Sequence, residues 1–227
     1  MQIGEPRRII RIAMSTPQGE VPGLVARAAA GDRGAIVELL DHYRARLRRM
    51  AALRLDPRLR GRVDASDVIQ EGYLDAMRRL DEFLRDPSVP FYIWLRFLVG
   101  QRLLEQHRRH LGTPGRDAGR EVSIDRGVVP GANTGALAAQ LLGKLTSPSH
   151  AALRAERKAR LRGALDRMDE LDREVLVLRH YEQMTNADAA AALGVSVKAA
   201  SKRYTHALER LEEILAPSPG GATGPER

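Results

Sequence analysis

The sequence predicts an all-α protein with two small helical domains joined by a flexible linker. Apolar residues recur at the three- and four-residue spacing of helices in residues 21–110 and again in 151–215, without strand-like alternation. Residues 111–150 between them contain seven Gly and three Pro, which is typical of a linker. Residues 1–20 and 216–227 have the composition of a disordered arm and a disordered tail.

The first block divides into four predicted helices. A short helix over 21–30 ends at Gly31, and Asp32 follows as the N-cap of the second helix. The second helix has an apolar stripe of Ile36, Leu39, Leu40, Tyr43, Leu47 and Met50. A third helix begins at Asp64 or Ser66, and its inward face is expected to hold Ile69, Tyr73, Ala76, Met77 and Leu80. Pro87 and Pro90 keep the next loop out of helix, and the fourth helix runs from Phe91 to His110.

In the second block, residues 184–211 predict two helices joined by a tight turn. Thr185 is a suitable N-cap for the first of them, and Gly194 fits the left-handed position that ends it. Ser196 is placed to cap the second helix through the backbone N–H of Lys198 or Ala199. Within the linker, an apolar patch at 136–145 predicts a short docked helix.

The second helix of this pair has an apolar face and an opposite face of basic and small polar residues. Together with the turn, this pattern predicts a helix-turn-helix whose second helix suits the DNA major groove. The candidate DNA contacts are Ser196, Lys198, Ala199, Ser201, Lys202 and Arg203. The alternative is an ordinary helical hairpin with a solvated basic face.

Composition limits the class of function. The net charge is +8, and only four of the 37 basic residues are Lys, a balance that suits a polyanionic partner. There is no Cys, which excludes disulfides and thiolate zinc sites and fits a cytoplasmic protein. No apolar run approaches the ~18 residues of a membrane span. The six His are scattered, and phosphate-loop and nucleophile motifs are missing, so no cofactor, metal or catalytic set is expected.

A second nucleic-acid signal lies around the start of the fourth helix. Five of the nine aromatic residues fall between positions 83 and 97, and Arg residues are interleaved with them. Aromatic rings stack on unpaired bases while guanidinium groups hold phosphates. The alternative is burial: Trp94 and Phe97 are predicted to be core, whereas Phe91 and Tyr92 fit either role.

The third helix begins with an acidic and amide face that includes Asp67, Gln70 and Glu71. On a protein rich in Arg, such a face could dock a basic partner. The alternative, which the residues alone favour, is a solvated face with favourable charges at a helix N-terminus.

These segments together resemble the bacterial RNA polymerase sigma factors of the small, extracytoplasmic-function type. Residues 67–71 resemble the family's D-L-V-Q-E helix, and Phe91, Trp94-Leu95, Gln101 and Arg108-Arg109 resemble its F-x-x-W-L…N…R-R helix. Residues 171–175, the turn at 194–196 and Arg203 resemble its region 4. The order and spacing of these motifs carry the resemblance, which covers about 24–110 and 151–213.

The resemblance implies roles for these surfaces. Domain 21–110 would be region 2 and domain 151–215 region 4, with the helix-turn-helix reading the −35 element. The third helix would dock on core RNA polymerase through Asp67, Gln70, Glu71 and Leu74. The −10 element would be read and melted by Arg85, Ser88, Phe91, Tyr92, Arg96 and Arg102. Core RNA polymerase and promoter DNA are the implied partners, the family leaves room for an anti-sigma factor, and a monomer is expected.

Two rival interpretations remain open at this point. One is a stand-alone helix-turn-helix transcriptional regulator, with residues 21–110 as an effector or dimerisation domain. The other is a helical interaction protein that binds a partner's helices and no DNA. Run-off transcription with core polymerase separates the sigma factor from both.

Overall fold

The computed structural model describes residues 21–59, 61–111, 129–143 and 151–215, and helices dominate these ranges without any strand. This confirms the all-α, two-domain prediction. The predicted arm, the tail and the remaining linker residues lie outside the described residues. The helices are α1 (Val21–Ala29), α2 (Arg33–Arg54), α3 (Ala65–Arg85), α4 (Phe91–Leu111), α5 (Thr134–Gly143), α6 (Ala151–Asp166), α7 (Glu170–Leu176), α8 (Asn186–Leu193) and α9 (Val197–Leu215).

Short-range chemistry sets the helix starts where the sequence predicts them. The Asp32 carboxylate accepts hydrogen bonds from the backbone N–H groups of Gly34 and Ala35 at 2.9 and 3.2 Å. Asp64, rather than Ser66, caps α3, because its carboxylate accepts the Ser66 N–H at 2.6 Å. Each cap satisfies backbone donors that the first helical turn leaves unpaired.

The first core lies between α1, α2, α3 and α4. Helices α3 and α4 approach closely at Gly72, where an added Cβ would lie 2.7 Å from a Val99 methyl group. The expectation that Met77 faces inward is wrong, since 49% of its surface is exposed. The buried face of α3 passes through Ala76 and Leu80, and Met77 lies about 100° around the helix from Ala76.

The second core joins α5, α6, α7 and α9. Helix α5 confirms the docked helix predicted within the linker, with Leu137 and Ala138 fully buried. Asn133 precedes α5, and its side chain accepts the Ala136 N–H at 2.9 Å. Its own N–H donates to the Leu53 carbonyl at 3.0 Å, so the start of α5 is bonded directly to the end of α2.

The two cores interlock rather than merely touch. Leu178, Met184, Ala189 and Ala192, from the segment that leads into and forms α8, are buried in the first core. Leu53 of α2 is buried in the second core. Separating the domains therefore exposes apolar surface on both.

A buried set of four charged side chains joins the two domains, and we call it the arginine–glutamate cluster: Arg54, Arg96, Glu174 and Glu182. Arg54 contacts Glu174 at 2.7 Å and Glu182 at 2.6 Å. Arg96 contacts the same two carboxylates at 3.0 and 2.8 Å. The Arg54 and Glu182 side chains are fully buried. Two positive and two negative groups therefore neutralise one another, and Glu174, with 18% of its side chain exposed, is the member closest to solvent.

The backbone that presents Glu182 is unusual. After α7 the chain continues as a wider π-type turn over Val177–Tyr181, and the Glu182 N–H donates to the Val177 carbonyl at 2.9 Å. Gln183 follows with φ = 54°, in the left-handed region that residues other than Gly and Asn rarely occupy. Such conformations persist where surrounding contacts impose them.

The electrostatics of Glu182 follow from this geometry. Burial by itself raises the pKa of its carboxyl, but the charges of Arg96 and Arg54 and their hydrogen bonds outweigh burial and hold the pKa at about 2. Tyr92 places its hydroxyl 3.4 Å from the same carboxylate. Burial, and then the Glu182 charge, raises the Tyr92 pKa.

Gly194 provides a test of the predicted helix-turn-helix geometry. Its φ of 64° is left-handed, so Gly194→Ala should destabilise the protein by about 1 kcal/mol in urea denaturation. Gly163→Ala is the matched control: Gly163 is exposed in α6, and no atom lies within 4 Å of an added Cβ. That control should stabilise by about 0.5–1 kcal/mol. Equal effects of the two changes would contradict the assignment.

The lowered pKa of Glu182 predicts a pH dependence. A carboxyl whose folded pKa lies below its unfolded value near 4.5 stabilises the fold above pH 4.5 and loses that effect as pH falls toward 2. Urea midpoints of the wild type and Glu182→Gln should therefore differ at pH 7 and converge in acid, where Glu182 becomes neutral. A difference that is independent of pH would contradict the ionised, paired state.

Candidate nucleic-acid interface

The turn between α8 and α9 has the geometry of a helix-turn-helix. The Thr185 hydroxyl accepts the Asp188 N–H at 3.0 Å and caps α8, as predicted. Gly194 ends α8 in the left-handed conformation, and the Ser196 hydroxyl accepts the Ala199 N–H at 3.1 Å. The Asn186 side chain donates to the Val197 carbonyl at 3.0 Å. The angle between the two helices is thus held by hydrogen bonds as well as by packing.

Five of the six residues predicted to contact DNA from α9 are exposed and lie along its first two turns. They are Ser196, Lys198, Ala199, Ser201 and Lys202. The opposite face of α9 anchors the helix, with Ala200 and Ala207 fully buried. The exposed row therefore projects from a helix that the second core holds in place.

Arg203, the sixth of these residues, is half-buried. Its guanidinium lies 3.4 Å from the carboxylate of Asp172 on α7. His206 contacts the other oxygen of Asp172 at 3.1 Å. Asp172 therefore orients Arg203 at the edge of the exposed row, in a way that spacing along α9 did not reveal.

The residues predicted for the −10 element divide into two groups. Arg85 and Ser88 are exposed at the end of α3 and in the following loop. Phe91, Tyr92 and Arg96 are buried, with 5%, 3% and 2% of their surfaces exposed. These three side chains are therefore not accessible to DNA in this arrangement. Arg96 and Tyr92 face Glu182 instead. Their role at DNA stays a prediction: for Arg96 and Tyr92 it requires this interface to open, and for Phe91, which packs against Phe83 and Trp94, it requires a change in the first core.

The aromatic side chains near the start of α4 are part of the first core. The Tyr92 ring lies 5.1 Å from that of Tyr43 between centroids. Trp94 stacks on Phe83 at 4.5 Å. Trp94 and Phe97 were predicted to be core, and they pack against the core but are only partly buried. Of the two interpretations left open for Phe91 and Tyr92, burial describes them in this structure.

Arg102 is held by acidic neighbours. Its guanidinium donates twice to Asp75, at 2.5 and 2.6 Å, and once to Glu105 at 2.7 Å. This bidentate geometry neutralises the positive charge of Arg102, which sequence analysis expected to hold a DNA strand. The role of Arg102 at DNA also stays a prediction.

The face of α3 predicted to dock polymerase is largely accessible. Asp67 and Gln70 are exposed, and so is 57% of Leu74. Glu71 is half-buried and accepts a hydrogen bond from Gln106 at 3.3 Å. Met77 of α3 and Val37 of α2 are exposed as well as Leu74, and sequence analysis did not foresee these two further apolar side chains.

Sequence analysis also missed Arg54, Glu174 and Glu182. Arg54 is one of eight Arg between 44 and 62, and nothing local distinguishes it from the others. Glu182 pairs with it across 128 positions. A weak signal was available, since Glu174 and Glu182 flank an apolar run, 175–178, that is buried throughout.

The described residues show neither a metal-binding cluster nor a membrane-spanning helix. No group of three or more His, Cys, Asp or Glu side chains converges in a way that could hold a metal ion. Nor is any helix in this part of the chain long and apolar enough to span a membrane.

Comparisons with known proteins agree with the resemblance. Residues 39–111 match the family model described as Sigma-70 region 2, and residues 158–211 match the model described as Sigma-70, region 4. The region 2 match contains α3, α4 and the two arginines of the cluster. The region 4 match contains the helix-turn-helix.

Two relatives are similar over most of their length. The chain is 30% identical over 196 residues to RNA polymerase sigma factor CnrH of Cupriavidus metallidurans, covering 85% of this chain and 92% of the relative. It is 29% identical over 203 residues to ECF RNA polymerase sigma factor SigD of Mycobacterium tuberculosis, covering 88% and 87%. The solved structure of CnrH in complex with the cytosolic domain of CnrY aligns with a TM-score of 0.48 at 25% identity, over 85% of this chain and 94% of that one. The chain therefore belongs to the extracytoplasmic-function group of the sigma-70 family, and it is a sigma factor that directs transcription initiation.

Proposed function

We propose that this sigma factor reads a promoter with two surfaces, α9 at the −35 element and the loop before α4 at the −10 element. The observation that carries the proposal is the exposed row on α9, held by three side-chain caps and turn bonds. A rigid helix that presents accessible basic and hydroxyl groups fits the major groove.

Each residue of the row suits a different part of DNA. Lys198 and Lys202 are compact charges that suit phosphates or guanine edges, while Ser196 and Ser201 can bond to phosphates or to several bases. Ala199 between them suits a thymine methyl group. Arg203, oriented by Asp172, would approach the groove with less conformational freedom to lose.

At the −10 element, Arg85 and Ser88 are proposed as the first contacts, because both are exposed. Phe91, Tyr92, Arg96 and Arg102 are proposed to complete the surface on the DNA-bound enzyme. An unpaired base requires a stacking ring and a nearby cation, and unstacking it costs a few kcal/mol that such a pocket must offset.

The accessible side of α3 is proposed as the docking face for core RNA polymerase. Asp67 and Gln70 provide charge and hydrogen-bonding capacity, and Leu74 provides apolar contact in the same face. Apolar contacts surrounded by polar ones are the usual composition of specific interfaces. Binding at this face would also bring both DNA-reading domains to one enzyme and raise their effective concentration at the promoter.

We further propose an anti-sigma factor as a partner. CnrH, at 30% identity, has been solved in complex with the cytosolic domain of CnrY. The chemistry of transcription belongs to the polymerase, so we propose that this chain is not itself an enzyme. We place it in the cytoplasm, as a monomer on core polymerase.

Lys202→Ala tests the −35 assignment. Loss of one base or phosphate contact should lower run-off transcription from a −35-dependent promoter about tenfold, corresponding to ~1.4 kcal/mol. Lys158→Ala is the control, because Lys158 is exposed on α6 and its loss changes the net charge equally. The assignment fails if the two variants transcribe alike.

Asp67→Arg tests the docking face. Charge reversal in the middle of an interface should weaken association with core polymerase at least tenfold, measured by fluorescence titration of labelled sigma factor with core enzyme. Glu82→Arg, an exposed position about four turns further along α3, makes the same charge change and should bind normally. Undiminished binding of Asp67→Arg would remove this face from the proposal.

A further inference from the structure

We propose that the arginine–glutamate cluster is an autoinhibitory contact, in which Glu174 and Glu182 of the second domain occupy the surface of α4 that would otherwise hold the DNA strand. This inference rests on the proposed −10 role of Arg96 and Tyr92, and it adds a closed state of the free sigma factor. In that state Arg96 and Tyr92, two of the residues proposed to melt DNA, face the domain proposed to read the −35 element.

The two glutamates bind Arg96 through the same N–H donors that would bind a DNA phosphate. A guanidinium binds carboxylate and phosphate through the same planar arrangement of N–H donors. Arg96 uses these donors on both glutamates, from Nε to Glu182 at 2.8 Å and from Nη2 to Glu174 at 3.0 Å. The two carboxylates thus take the positions that phosphate oxygens would need.

The same contact covers the neighbouring ring. Tyr92 is 3% exposed, and the Arg46 guanidinium lies 3.8 Å above its ring centroid. Arg46 also donates to the Glu182 backbone carbonyl at 3.1 Å. A base can stack on Tyr92 only if Arg46 moves, and the Glu182 carbonyl helps to hold Arg46 in place.

The backbone around Glu182 has a conformation that supports a specific interdomain contact rather than an incidental one. The π-type turn and the left-handed Gln183 are both locally unfavourable, and together they direct the Glu182 side chain into the first domain. The linker takes part as well, because the Pro130 carbonyl accepts from Arg54 at 3.0 Å.

A contact of this kind can be displaced. The four charges are neutralised by one another, so a competing polyanion or a polymerase that separates the domains changes the balance. Arg54 contributes to closure without being a proposed DNA contact. It therefore offers a way to open the contact while the DNA-binding residues stay intact.

Two variants with opposite charge changes test the closed state. Glu182→Gln raises the net charge by one and Arg54→Met lowers it by one, yet each unbalances the charges of the cluster, leaving one excess positive or one excess negative charge, and should open the domains. Glu213→Gln is the control, since Glu213 is an exposed glutamate paired with Arg210 at 2.9 Å. Because the chain has no Cys, Asp81→Cys and Glu209→Cys accept a donor–acceptor dye pair that reports domain separation.

The expected result is lower transfer efficiency in both variants and tighter binding of a single-stranded −10 oligonucleotide in the absence of polymerase. If about one molecule in ten is open in the wild type, binding tightens by up to about tenfold. Unchanged transfer efficiency in both variants overturns the proposal. So does tighter binding by Glu182→Gln accompanied by weaker binding by Arg54→Met, because net charge alone then explains the data.

A measurement on the wild type covers the case in which neither variant folds. Saturating oligonucleotide should lower the transfer efficiency of the labelled wild type, since DNA and Glu182 compete for Arg96; bound DNA without that change overturns the proposal. Arg96→Ala in run-off transcription tests the −10 role of Arg96 independently of the domain contact. If transcription is undiminished while the variants still open, the −10 assignment of Arg96 fails and the domain contact stands.

Discussion

Charge neutrality at a largely buried contact between the domains is the constraint on which this structure depends. Removing a guanidinium or carboxylate from water costs several kcal/mol per ion, and only close, hydrogen-bonded partners offset that cost. Arg54, Arg96, Glu174 and Glu182 meet the requirement only as a set, because each arginine contacts both carboxylates. The neighbouring features follow from it, including the Pro130 carbonyl that accepts from Arg54. The relative position of the two domains is therefore fixed by electrostatics as much as by apolar packing.

The interlocked cores give this arrangement a second basis. Met184 and Ala189 belong by sequence to the second domain but are buried in the first core. Leu53 belongs to the first domain and is buried in the second core. Meanwhile the exposed row of α9 remains accessible. The closed protein thus covers one proposed DNA surface and leaves the other uncovered. Such an asymmetry fits a protein whose two domains act at different moments of initiation.

The features that were predictable from sequence are those determined within a few residues. The caps at Asp32, Thr185 and Ser196 and the left-handed Gly194 depend on short-range hydrogen bonds and sterics, and all of them are observed. Features set by distant partners were not predictable. An arginine in an amphipathic helix looks the same whether it faces solvent or a glutamate 128 positions away. Exposure of Met77 has a similar origin, because the width of the buried stripe on α3 depends on how closely α4 packs at Gly72.

The separation between Arg54 and Glu182 has a consequence for biosynthesis. The ribosome adds roughly 5–20 residues per second, so on the order of ten seconds pass between the synthesis of the two partners. During that interval the first domain lacks the apolar residues that α8 later contributes to its core. Its arginines also lack their carboxylates. We therefore expect a nascent or truncated chain to expose apolar surface and unpaired arginines that bind polyanions. Synthesis of the C-terminal half completes the fold and buries both.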